Sequence, residues 1–315
     1  MLVGILGGLV WLCWSANEPV HKGRKLRSWL DQLESGQGSF QSGYWFGLGP
    51  IPPLSPSQAN AADAIRAIGT NAIPVLIRDI SVPDSNLRDN LQYLWAMLKI
   101  MARRPFAGKA RSSVSVDLEF PSYTSRKKAA LAFDALGPSS QSAIPQLLPL
   151  LKNSCSEQAA FALAAMGPMG ISALTNAMEN SSDRIDGAMS ALGHHPTACS
   201  NLIPWLIAYE SKRSPQDAET IWAIGSINAD APDAVPFLTH SLVISMKGPC
   251  ALASFDATIP AQALGKFGPQ AQSAVPLLRQ AETNHTNGGL NVIREALRRI
   301  TAASTNGSPN TGTLP

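Results

Sequence analysis

The sequence predicts an all-α fold of about eight stacked helical hairpins, and three observations carry that reading. The first is the phrase AALAFDALGPSSQSAIPQLLPLL at residues 129–151. Ala129, Ala132, Phe133 and Leu136 fall at i, i+3, i+4 and i+7, the spacing of one helical face. Gly137-Pro138 stops that helix, because glycine tolerates a left-handed backbone and proline cannot continue the hydrogen-bond ladder. Ile144, Leu147, Leu148 and Leu151 then form a second apolar face, opened by Pro145 where a missing N–H costs little. The second observation is recurrence: GPSSQSAIP at Gly137–Pro145 returns as GPQAQSAVP at Gly268–Pro276. The third is composition. Hydrophobic residues make up 45% of the 315 and charged residues 15%, which excludes disorder for most of the chain. Aromatic content is only 6% and alanine is abundant, which suits closely packed helices. The 24 glycines and 24 prolines fit an all-helical chain once they are placed at its turns.

From the N-terminus, residues 1–14 read MLVGILGGLVWLCW, an uncharged apolar run. It is short for a bilayer span, which takes about 20 residues. It also lacks the basic start and the small-residue cleavage site of a signal peptide, and Leu12 before Cys13 argues against lipidation. Two readings remain, a membrane anchor and a buried N-terminal helix, and Gly4, Gly7, Gly8 and the tryptophans at 11 and 14 fit a membrane segment better. Residues 1–16 are therefore read as an anchor or uncleaved signal, and the protein as membrane-associated through its N-terminus. The following HKGRKLR, with Lys22, Arg24, Lys25 and Arg27, favours a cytoplasmic location for this stretch. A start codon further upstream would add charges that reverse this, so the side of the membrane stays open.

Residues 17–56 form a short helix and a linker. Leu26, Trp29, Leu30 and Leu33 are helically spaced and predict an amphipathic helix docking on the first hairpin. The Gly-, Ser- and Pro-rich stretch 35–56, with Tyr44, Trp45 and Phe46, reads as a linker or a loop covering the end of the array.

Residues 57–303 hold the hairpins. Positions −8, −5, −4 and −1 from each turn glycine align the copies. For Gly69 they are Ala61, Ala64, Ile65 and Ile68, and for Gly167 they are Ala159, Ala162, Leu163 and Met166. Gly137, Gly193 and Gly268 follow suit, and Gly225 more weakly, with Asp217 and Thr220 at the first two positions. Ala102 and Thr301 stand where two further copies lack the glycine. The reference positions 69, 102, 137, 167, 193, 225, 268 and 301 are separated by 33, 35, 30, 26, 32, 43 and 33 residues. Second helices are expected over 73–80, 143–152, 171–179, 202–210, 234–245 and 274–282. Two breaks stand out: 105–124, which reads as loop or extended chain, and an insertion around 245–252. Residues 304–315 are expected to be a disordered tail.

A helix rich in Ala and aliphatics, a Leu/Ile-Gly stop, and Ala-Ile/Val-Pro opening a second helix resemble the HEAT repeat over residues 57–301. An apolar start, then HKGRKLRSWLDQL, then the repeats is similar to bacterial membrane-associated HEAT-repeat proteins. The resemblance implies a right-handed α-α superhelix, a HEAT-like solenoid, whose concave face binds a protein or peptide. The chain departs from the pattern at Ala102 and Thr301, which lack the glycine, in the Gly167 copy, which lacks the proline of the second helix, and over 105–124.

The chemistry of the chain points the same way. HEAT-like hydroxylases hold iron with His-Glu dipeptides, and this chain has none. His194-His195 reads as a solvated turn, since no further ligands converge on it in sequence. Cys13, Cys155, Cys199 and Cys250 are scattered singly and read as small buried apolar side chains. No GxSxG nucleophile motif and no phosphate-cradling glycine loop occurs. The expectation is a non-enzymatic, monomeric scaffold with no catalytic residue, cofactor or metal. A bilin-lyase-like enzyme is a distant third reading that rests on fold analogy. The nucleic-acid alternative rests on basic residues flanking the 105–124 break, although a net charge of +3 is mild. The same residues, Arg103, Arg104, Lys109, Arg111, Arg126, Lys127 and Lys128, are the candidate partner-binding set.

Overall fold

The computed structural model describes residues 18–35, 53–83, 121–212, 217–228, 232–247, 257–284 and 289–302. The fold is all-α: apart from two strands of two residues each, every regular element among the described residues is helical. The apolar start, most of the 35–56 linker, the Ala102 copy and the tail lie outside the described residues. Contacts divide the chain into two compact units, one running to Ala188 and the other from Met189.

The first unit opens on a hairpin of β1 (Val20–His21) and β2 (Arg24–Lys25), paired antiparallel. Lys22 and Gly23 both take positive φ, at 49° and 72°, which is the backbone a two-residue hairpin turn requires. Helix α1 (Leu26–Glu34) follows, and its expected face of Leu26, Trp29, Leu30 and Leu33 is buried. It packs on α2 (Pro56–Ile68). Ser55 starts α2 with a capping box: its hydroxyl accepts from the Gln58 N–H, and the Gln58 side chain accepts from the Ser55 N–H. The same Gln58 amide donates to the Leu33 carbonyl at 2.9 Å, tying the end of α1 to the start of α2.

A 3-10 turn at Gly69–Ala72 leads into α3 (Ile73–Ile80), then α4 (Pro121–Leu136). Because Pro121 opens α4, residues 121–124 are the first helical turn rather than loop, a correction to the expected break. Gly137–Ala143 is again 3-10, followed by α5 (Ile144–Leu147) and a 3-10 turn at Leu148–Lys152. The expected second helix over 143–152 is thus broken. Pro149 has no N–H to return to the Pro145 carbonyl, so the α-helical ladder stops before it. Helices α6 (Ser156–Ala165) and α7 (Pro168–Glu179) complete the unit. Helix α7 starts three residues earlier than expected, because Pro168 supplies the opening proline directly after Gly167.

The second unit comprises α8 (Ala188–His194), α9 (Ile203–Ser211), α10 (Ala218–Ile227), α11 (Ala234–Lys247), α12 (Thr258–Phe267), α13 (Val275–Asn284) and α14 (Gly289–Thr301), with a 3-10 turn at Gly268–Ala274. Residues 245–247 of the expected insertion belong to α11, and the rest of it lies outside the described residues. Helices α10, α12 and α14 pack one against the next. At the aligned positions, Ile293, Ala296 and Ile300 of α14 are buried, as are Ala263, Leu264 and Phe267 of α12.

Gly69, Gly137, Gly167 and Gly268 adopt positive φ between 55° and 76°, as turn residues should. Gly193 and Gly225 do not, and lie inside α8 and α10 instead. A Cβ on Gly225 would lie 2.7 Å from the Ala263 Cα, and one on Gly193 would strike the Trp222 ring. Both glycines therefore serve close helix approach. The stop for α10 falls at Asn228, in the left-handed region at φ 43°. Asp217, the poorest match in that copy, is the N-cap of α10 and accepts from the Glu219 N–H.

Candidate functional site

The described residues of the first unit enclose a cleft of about 460 Å³ between α1, α3 and α4. Arg27 and Asp31 come from α1, Arg78 and Asp79 from α3, and Lys128 from α4. Leu30 and Val82 supply apolar wall, and Ser122 and Ser125 supply hydroxyls.

The charges are arranged around Asp79. Its Oδ1 accepts from Nε and Nη2 of Arg78 at 3.1 and 3.0 Å, and Nη2 of Arg27 stands 3.7 Å away. The Asp79 side chain is 12% exposed, whereas that of Arg27 is 60% exposed. One buried carboxylate thus gathers two guanidiniums. Opposite them, the Lys128 ammonium donates to Asp31 at 2.8 Å and lies 3.5 Å from Glu34. Burial pulls the Lys128 pKa down, but the Asp31 hydrogen bond and the charges of Glu34 and Asp31 outweigh it. The net result is a pKa above the ordinary lysine value, so the group stays charged.

Of the candidate basic set, Arg103, Arg104, Lys109 and Arg111 lie outside the described residues. Lys128 lines the cleft, but Arg126 and Lys127 turn inward. Lys127 is 1% exposed and bridges to Glu34 at 3.3 Å. Arg126 donates to the Val82 carbonyl at 3.0 Å and packs on the Cys155 thiol. Consecutive helical residues point about 100° apart, so three in a row cannot share one face. These cations fasten α4 to α1 and to the end of α3. Arg27 was legible only as part of a basic run, and Asp31, Arg78 and Asp79 carried no signal of their own. Their meeting depends on the packing of three elements separated in sequence.

In the second unit, His194 and His195 are only partly exposed rather than standing in a fully solvated turn. The His194 ring lies 4.8 Å from that of Trp222, and burial lowers the His195 pKa to about 4. The glycine at 193 admits Trp222 close to this turn, which explains the departure from expectation. Cys155 and Cys199 are buried, and burial pushes the Cys199 thiol up to about 12. The buried Glu210 carboxylate accepts from the Asp217 N–H and the Thr220 hydroxyl, joining α9 to α10. Among the described residues no group of three or more His, Cys, Asp or Glu is placed to hold a metal ion, and no helix is long and apolar enough to cross a membrane. No family model, curated protein or solved structure matches this chain.

Proposed function

We propose that the chain is a non-enzymatic scaffold that binds a protein or peptide partner and is held at a membrane through residues 1–16. The observation that carries the partner-binding reading is the cleft between α1, α3 and α4. Side chains from three elements present fixed charges there, and Arg27 and Asp31 remain largely exposed. The chemistry of such a cleft is recognition: its cations and carboxylates hold one another in place, and their arrangement positions a partner's charges.

The finer fold in this proposal is a right-handed superhelix of HEAT type. It is supported by the succession of α10, α12 and α14, the burial of the aligned positions, and the four turn glycines. The nucleic-acid alternative is weakened by the inward course of Arg126 and Lys127, which removes two of its cations from the surface.

The test is proximity labelling in the native cell with a labelling enzyme at the C-terminus. The full chain should label a discrete set of neighbours and be recovered with membranes. Deleting residues 1–16 should release it to the soluble fraction. Labelling no different from a diffusing control would refute the scaffold, and unchanged soluble behaviour of the full chain would refute the tether.

A further inference from the structure

We propose that the α1–α3–α4 cleft is a receptor for an oxyanion, the carboxylate or phosphoryl group of an acidic segment on a partner protein. This rests on the partner-binding reading above and gives that partner a chemistry.

The charge count comes first. Arg27, Arg78 and Lys128 face Asp31 and Asp79, so the lining carries one more cation than carboxylates. The surplus is localised. Lys128 is committed to Asp31 and Glu34. Arg27 and Arg78 share the Asp79 Oδ1. Arg27 stands at 3.7 Å, beyond hydrogen-bond distance, and its guanidinium makes no hydrogen bond to a described residue. A guanidinium presents five N–H donors in a planar fork that matches the paired oxygens of a carboxylate or phosphate. Here one such fork is held beside a second by a common carboxylate, with its own donors unspent.

The surroundings strengthen such a contact. Leu30 and Val82 lower the polarity of the wall, which raises the Coulomb energy of an ion pair relative to open water. Ser125 adds a hydroxyl donor on the α4 side. A volume of about 460 Å³ admits a side-chain group and its flanking backbone rather than a whole helix. Asp79 acts as an internal competitor, because it occupies two donors of Arg78 and attracts Arg27, both of which an incoming oxyanion would use. That role makes a prediction of unusual sign: neutralising an acidic residue should improve binding.

The experiment is fluorescence anisotropy on the full chain with three probes: a blocked Glu-Glu-Glu peptide, a peptide of equal length carrying phosphoserine, and a dT oligonucleotide. At least one acidic peptide should bind saturably and more weakly as salt is raised. Arg27→Gln with Arg78→Gln should weaken it about tenfold. Asp79→Asn should tighten it several-fold, a gain that a misfolded chain cannot mimic. Circular dichroism melting establishes that each variant is folded. If Asp79→Asn melts below the assay temperature, the arginine variants decide alone. The better peptide identifies carboxylate or phosphoryl as the source. The proposal falls if neither peptide saturates, if the arginine variants bind like the parent, if a folded Asp79→Asn fails to tighten binding, or if the oligonucleotide outcompetes both peptides. A chain that labels discrete neighbours in cells but binds neither peptide keeps the scaffold and loses the oxyanion site. The reverse result keeps the site and loses the scaffold.

Discussion

Lys127 shows how much of the candidate surface is structural. Its ammonium is 1% exposed and answered by Glu34, whose side chain is 18% exposed. Removing one partner of a buried pair leaves a charge without compensation, whereas removing both is nearly neutral. Glu34→Gln removes the carboxylate that Lys127 and Lys128 share, so it should destabilise the chain by up to about 3 kcal/mol in urea unfolding, and adding Lys127→Met should recover part of that loss. His195 gives a second residue-level expectation. Its imidazole, with an ordinary pKa of 6.5, is held at about 4 by burial, so the native state stays neutral where the unfolded chain takes up a proton. Stability contributed by this group is complete above pH 6.5 and falls as the pH drops towards 4, by about 3 kcal/mol in all. His195→Gln should flatten stability against pH between 7 and 4.5. An unchanged slope would mean that His195 is accessible to protons in the folded chain.

At the scale of elements, glycine has two uses that one letter does not separate. Gly69 takes φ 61° and ψ −141° with open space around the missing Cβ, so its requirement is backbone conformation. Gly225 is helical, and its requirement is the nearness of Ala263. Gly225→Ala should cost about 1–2 kcal/mol by overpacking, and a cycle with Ala263→Gly should return a coupling of about 1 kcal/mol. Gly69→Ala should cost about 2 kcal/mol with no such coupling to Ala263. Strictly additive costs for Gly225 and Ala263 would remove the contact from the account.

The same distinction sets what could be read from sequence. The faces of α1, α2, α4 and α14 were legible because burial follows helical periodicity, and the turns at Gly137 and Gly268 because Gly-Pro leaves few conformations. The stop at Asn228 was not legible, since Gly225 satisfied the spacing for a different reason. Nor was the broken second helix at Pro149, where one missing N–H outweighs an apolar face that remains helically spaced. The cleft was the least legible feature. Arg27, Arg78 and Lys128 are 51 and 50 residues apart in succession, and only the docking of α1 and α3 on α4 brings them together.

At the scale of the whole molecule, the proposed point of recognition is the α1–α3–α4 cleft of the first unit, and the proposal rests on the charges of that cleft. Arg27→Glu with Arg78→Glu reverses the charge that faces a partner while leaving the apolar faces of α1 and α3 intact. The decisive measurement is quantitative proximity labelling by the parent and by this variant, expressed at equal levels and shown to be folded by circular dichroism. The account predicts that the discrete neighbours of the parent fall to background in the variant. Undiminished labelling of the same neighbours by the folded variant would contradict it.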